Sequence, residues 1–156
     1  MTTTINGSLL YGVDLGGGDQ PWQVRHTAAP QHRVQSPHEL SWYDPDSIYD
    51  FRDQANLRLA CADRPVDHTA VADPASAAAA RVGAHLECYS WEVAPSFVLA
   101  ASITTAYYDT PVQVDLLDLH GRHQAEGWDA KLAAALALLG VTHMTAQPCW
   151  MVTASE

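Results

Sequence analysis

A chain of 156 residues, 47% apolar and 17% charged, is one ordinary domain (residues 1–156) able to bury roughly two thirds of its unfolded surface. Its 18 Asp and Glu against 8 Lys and Arg give a formal charge of −10, with Lys131 the sole lysine, a balance that disfavours direct nucleic-acid binding because a phosphate backbone needs a cationic footprint. The opening residues lack a basic start and a long apolar run, and the uncharged run 93–108 is too short and too rich in Ser and Thr to span a bilayer; a cytoplasmic protein without membrane association is expected.

Residues 1–7 read as a loose lead-in. Residues 8–15, SLLYGVDL, alternate as a strand that stops at Gly16, Gly17 and Gly18, where a tight or left-handed turn has little steric cost. Residues 22–26, WQVRH, read as its returning partner in a hairpin. The polar stretch 27–42, broken by Pro30 and Pro37, reads as a mobile loop with a short strand at 32–35. A helix is expected over 47–62, capped by Asp44 with Pro45 at its first position, because Ile48, Phe51, Ala55, Leu59 and Ala62 recur every three or four residues. Asp73 and Pro74 repeat the device and open a second, alanine-rich helix through DPASAAAARVGAHLE, in which Gly83 costs ~1 kcal/mol relative to alanine.

Residues 88–93, CYSWEV, lead as a short strand or an approach into 97–108, FVLAASITTAYY, the strongest strand pattern in the chain. Neither of its faces carries a charge, so both can be covered, and a central strand is expected. Residues 112–119, VQVDLLDL, read as a short strand followed by loop. Trp128, Leu132, Ala135, Leu136 and Leu139 define a helix over 127–139, with Gly140 as its left-handed terminator. Residues 149–153, CWMVT, close the chain as a strand that would favour compactness by returning beside the first. The sum is an α+β domain, a mostly antiparallel or mixed sheet with about three helices packed largely on one face.

Asp14 with Gly16 and Gly17, in GVDLGG, resembles the first phosphate loop of the sugar-kinase, heat-shock-chaperone and actin superfamily. The resemblance implies an aspartate ending the first strand and glycines approaching a nucleotide phosphate. It covers about eight residues, and Gly18 and Asp19 stand where that family continues with Thr and a basic residue. Ribonuclease H-like nucleases are similar in their first-strand aspartate, which implies a metal-dependent phosphoesterase or nuclease using Asp14 with Asp115 or Asp118. Two cations about 4 Å apart would require those carboxylates to converge, although Asp115 and Asp118, three apart, leave a regular strand on opposite faces. His120 and His123 could present nitrogen to a metal beside Asp118 or Glu126. His85 and Cys88 are close enough in sequence to touch, with no third group to orient them. Cys61, Cys88 and Cys149, odd in number and widely spaced, fit neither a disulfide framework nor a thiolate metal site. No cofactor is expected.

The composition is unusual in two respects, its acidity and its aromatics. Trp22, Trp42, Tyr43, Tyr49, Trp91 and Tyr108 fall near loops or strand edges, and Asp44, Asp46 and Asp50 stand beside several of them. Aromatic anchors with a charged rim suit a protein-binding surface. The reading that uses both features is a non-enzymatic acidic interaction module, a small regulator or inhibitor meeting a basic protein surface through Trp22, Trp42, Tyr43, Asp44, Asp46, Asp50 and Trp91. Self-association through the 149–153 edge is a further form of partnering.

Overall fold

The computed structural model describes residues 6–17, 24–25, 34–35, 39–62, 64–65, 71–90, 95–141 and 147–155. Along them run β1 (Asn6–Gly17), β2 (Val24–Arg25), β3 (Val34–Gln35), α1 (Phe51–Cys61), α2 (Pro74–Val82), β4 (His85–Ser90), β5 (Ser96–Ala106), α3 (Leu116–Ala125), α4 (Trp128–Leu138) and β6 (Cys149–Ser155). Four strands form an antiparallel sheet in the order β4-β5-β1-β6, and β2 pairs with β3 in a separate two-stranded ribbon.

The uncharged 97–108 pattern supplies β5, which lies inside the sheet with β1 and β4 on its two sides. The last strand does return beside the first, Leu9 facing Val152 and Tyr11 facing Trp150. Alternation along β1 sends Tyr11, Val13 and Leu15 to the helix side, where they join Phe97, Leu99 and Leu86 from the sheet and Phe51, Ala55, Leu59, Trp128, Leu132 and Leu139 from the helical layer.

Two irregularities bend the β1–β5 ladder. Ala101 is the extra residue between the Tyr11–Ser102 and Gly12–Ala100 pairs, and Leu15 the extra residue between Asp14–Val98 and Gly16–Phe97. Bulges of this kind sharpen twist and turn a sheet on itself. A β-carbon on Gly12 would run into the Leu99 carbonyl oxygen, so glycine is required where the strands close up. The bend brings β4 and β6, at the two ends of the strand order, towards one another across the face away from the helices. Leu10, Val98 and Ala100 are buried although they stand apart from the helix-side cluster.

Several expectations are corrected. The first helix begins at Phe51 rather than Ser47, because Asp50, not Asp44, accepts the capping bond from the Asp53 N–H at 2.7 Å. Ile48 therefore precedes the helix and is 93% exposed. The second helix stops at Val82: Gly83, with φ 74°, ends it as a left-handed cap, and the following residues become β4. Residues 112–119 are not a strand. Asp115 accepts from the Leu117 and Asp118 N–H groups and caps α3, a fourth helix. Of the expected hairpin partner 22–26 only Val24 and Arg25 are described, and they pair with Gln35 and Val34 rather than with β1, which is flanked by β5 and β6.

Asn6 and Gly7 belong to β1, while residues 1–5 lie outside the described residues. Of the expected loop 27–42, Val34–Gln35 is strand and 39–42 is described; the remainder lies outside the described residues. Among the described residues no helix is long and apolar enough to cross a membrane.

Candidate functional site

Three arrangements carry the polar and aromatic residues that could do chemistry or recognition. The first gathers part of the expected aromatic surface. Trp42 is half-buried: its indole N–H donates to the Leu139 carbonyl at 2.9 Å, and its ring lies 5.5 Å from Phe51. Tyr43 meets Phe51 edge-on at 5.1 Å, and Phe51 meets Phe97 at 5.3 Å. These rings tie the 40–50 loop to the core.

The loop is fixed a second time by Gln54, a buried polar residue on α1. Its amide donates to the carbonyls of Asp44 and Tyr49, both at 2.8 Å, and accepts from the Asp44 N–H at 2.9 Å. Asp44 in turn accepts from the Asp46 N–H. The result is a pocket of about 360 Å³ with Phe51 and Phe97 among its walls and Tyr43, Asp44, Ile48 and Asp50 along its lining. Burial, then the charges of Asp44 and Asp50, push the Tyr43 hydroxyl above its ordinary pKa. Tyr43, Asp44 and Asp50 are thus brought together and Asp46 lies next to them. Trp22 and Trp91 lie outside the described residues.

The second arrangement is a ledge over residues 107–118, exposed at every position. A turn closed by the Thr110 N–H on the Tyr107 carbonyl, with Asp109 at φ 66°, carries the chain off the end of β5 and towards α3. Tyr107, Tyr108, Val112, Val114, Leu116 and Leu117 present large apolar surfaces along it; Leu116 is 69% exposed and Leu117 85%. Asp109, Asp115 and Asp118 alternate with them, and no Lys or Arg falls in the stretch. Monomeric proteins seldom leave contiguous apolar surface of this kind uncovered. Sequence reasoning passed over it because 97–108 was read as a central strand and 112–119 as a short strand followed by loop, which split the run between two elements.

The third arrangement is a polar network under α3 and α4 that spacing along the chain gave no means of finding. The Tyr11 hydroxyl donates to Asp129 Oδ1 at 2.7 Å, and His123 Nε2 lies 3.1 Å from the same oxygen. Tyr11 packs at 4.5 Å on His123, 5.7 Å on Trp128 and 5.1 Å on Trp150, ring centre to ring centre. Burial, then the Asp129 bond, pushes the Tyr11 pKa up to about 12. Donation from Tyr11, then from His123, holds the Asp129 carboxyl below its usual range. Glu126 accepts from the Trp128 indole and from Arg122, which also stacks over Trp128. With the rings in contact, the network locks α3 and α4 onto β1 and β6.

Of the metal and phosphate candidates, Asp14 Oδ1 accepts from the Gly16 N–H at 2.8 Å and from the Tyr89 hydroxyl at 3.1 Å. The GVDLGG run thereby acquires a local turn, with Gly16 at φ 79°. Asp115 caps α3, and Asp118 sits in the first turn of that helix. His120 and His123 share α3 with their rings 6.4 Å apart, and His123 is engaged by Asp129. His85 pairs with Glu87 at 3.0 Å. Among the described residues no group of three His, Cys, Asp or Glu is arranged to hold a metal ion. No family model, curated protein or solved structure matches the chain.

Proposed function

We propose that the protein is an acidic interaction module, a small regulator or inhibitor, whose ledge at 107–118 docks on a basic protein surface. The supporting observation is the pairing of exposed apolar side chains with carboxylates on that ledge: Leu116 and Leu117 supply area to be removed from water, and Asp109, Asp115 and Asp118 set the sign of the partner. The pocket bounded by Tyr43, Asp44, Ile48 and Asp50 has the same chemistry on a smaller scale. The net charge of −10 steers a cationic partner from a distance and repels other acidic surfaces.

A photo-reactive side chain placed at Leu117 in cells that make the protein should cross-link to a basic polypeptide, and the same group at exposed Ala133 on α4 should not. Equal capture from both positions, or none from Leu117, would contradict the reading.

A further inference from the structure

We infer that the pocket at the start of α1 receives the guanidinium side chain of an arginine on the partner protein. The inference rests on the reading of the chain as an acidic module that meets a basic protein surface, and it gives that surface a second contact. The pocket holds about 360 Å³, ample for one arginine side chain. Four aromatic residues line it: Phe51 and Phe97, both buried, and Tyr43 and Tyr49, both half-buried. Tyr43 and Phe51 meet at 73° and Phe51 and Phe97 at 58°, so the rings stand at angles to one another rather than in one flat stack.

The rim selects a cation. Asp44 Oδ1 accepts from the Asp46 N–H at 2.9 Å, and Asp50 Oδ1 accepts from the Asp53 N–H at 2.7 Å. Among the described residues the second oxygen of each carboxylate has no donor, and neither carboxylate has a cationic partner. Both charges bear on one place, since after burial Asp44 and then Asp50 raise the Tyr43 pKa. Backbone donors that would welcome an anion are engaged within the protein. The Asp44 N–H bonds Gln54, that of Ser47 the Asp44 carbonyl and that of Tyr49 the Ser47 Oγ, while Pro45 has none. The hydroxyls that remain, on Ser47, Tyr43 and Tyr49, accept as well as donate. No Lys, Arg or His is among the described lining residues, and Arg52, beside Phe51, pairs with Asp53 at 3.4 Å. A guanidinium fits walls and rim together: it is planar and weakly hydrated, lies on aromatic rings, and its N–H fork suits carboxylates. A lysine ammonium is a compact, strongly hydrated charge and gains less from such walls. The three bonds from Gln54 hold the loop in shape before a partner arrives, which lowers the cost of ordering it on binding.

The test is a titration of the whole protein, at constant ionic strength, followed by the ring resonances of Tyr43, Phe51 and Phe97. The probes are N-acetyl-arginine methylamide, its lysine counterpart, free arginine and, as the uncharged isostere, N-acetyl-citrulline methylamide. Saturable shifts with the blocked arginine are expected, with a dissociation constant on the order of 1 mM for a single side chain. The lysine and citrulline derivatives should bind roughly tenfold or more weakly. Asp44→Asn and Asp50→Asn keep an oxygen for the loop turn and for the helix cap, so both should fold as wild type does. Each should weaken arginine binding roughly fivefold or more. No saturable shift, lysine or citrulline bound as tightly as arginine, or binding unchanged in both Asn variants overturns the inference. Free arginine bound roughly tenfold tighter than the blocked residue also overturns it, by assigning the pocket to a small metabolite. Leu117→Ser lies outside this pocket and should titrate as wild type, whereas cross-linking from Leu117 reads the ledge alone, so failure of the one is distinguishable from failure of the other.

Discussion

The side-chain amide of Asn56 faces the backbone of Leu86 as a neighbouring strand would, donating to its carbonyl at 2.9 Å and accepting from its N–H at 2.7 Å. Asn56 is fully buried on α1, and Leu86 is in β4, at one edge of the sheet. An edge strand exposes unpaired backbone groups; here one polar side chain satisfies both groups of one residue and fastens α1 to the sheet. Asn56→Leu should leave a buried donor and a buried acceptor without partners. A loss of about 2–4 kcal/mol is expected in urea unfolding, and a loss below about 0.5 kcal/mol would show that water replaces the amide.

The other edge, β6, has no corresponding side-chain cover among the described residues. Cys149–Ser155 carries no charge in a chain of net −10, pairs only with β1 among the described strands, and leaves Val152 80% exposed. If copies of the chain associate, this neutral edge is where like-charged surfaces can meet. Wild-type protein should then dimerise reversibly across a concentration series in sizing, and Val152→Glu should remain monomeric. Val152 suits this better than Trp150, which packs 5.9 Å from Trp128, ring centre to ring centre. Wild-type protein that stays monomeric throughout excludes the edge as an interface.

Gly12 has no room for a side chain against the Leu99 carbonyl. Gly12→Ala should force the β1–β5 ladder apart at its bend and cost about 3 kcal/mol or more. Gly7, with open space around its α-carbon, is the control: Gly7→Ala should be close to neutral. Equal effects of the two substitutions in thermal unfolding would argue against the bend.

Tyr11 gives the stability a defined alkaline limit. Its folded pKa of about 12 lies above the ordinary tyrosine value of 10.0, so its contribution is complete below pH about 10 and is lost as pH rises from there through the folded value. Asp129 acts in the opposite range: its lowered pKa contributes above the ordinary carboxyl range and fades as pH falls through the folded value. Tyr11→Phe should flatten the alkaline decline and weaken the acid one. Unfolding midpoints measured against pH, with the ionisation of tyrosine followed near 295 nm, check both; an unchanged alkaline decline in Tyr11→Phe would place its cause elsewhere.

Much of the fold was legible because its signals are local. Alternation in 97–108 marked β5, the Asp73-Pro74 pair marked the start of α2, and Gly140 marked the end of α4. Boundaries failed where two caps competed: Asp44 and Asp50 both precede a helical stripe, and Asp50 caps the helix while Gln54 binds the backbone of Asp44 and Tyr49 in the loop before it. Residues 112–119 misled because their valines alternate while the signal that prevails is the carboxylate of Asp115 on the first turn of α3. The Tyr11–Asp129 bond spans 118 residues, and the extra residue at Ala101 shows only once β5 is paired with β1. Pairings made by topology leave no periodic trace.

The most direct test of the interaction reading is native mass spectrometry of the protein drawn gently from cells that make it, wild type beside a Leu116→Ser, Leu117→Ser double variant. Both leucines are exposed, so the variant should unfold at the same temperature as wild type within a few degrees. The expected result is a stoichiometric basic protein retained by the wild type, released as salt is raised, and absent from the variant. A partner that stays on the variant, or a wild-type protein that carries none under any salt condition, would contradict docking through the ledge.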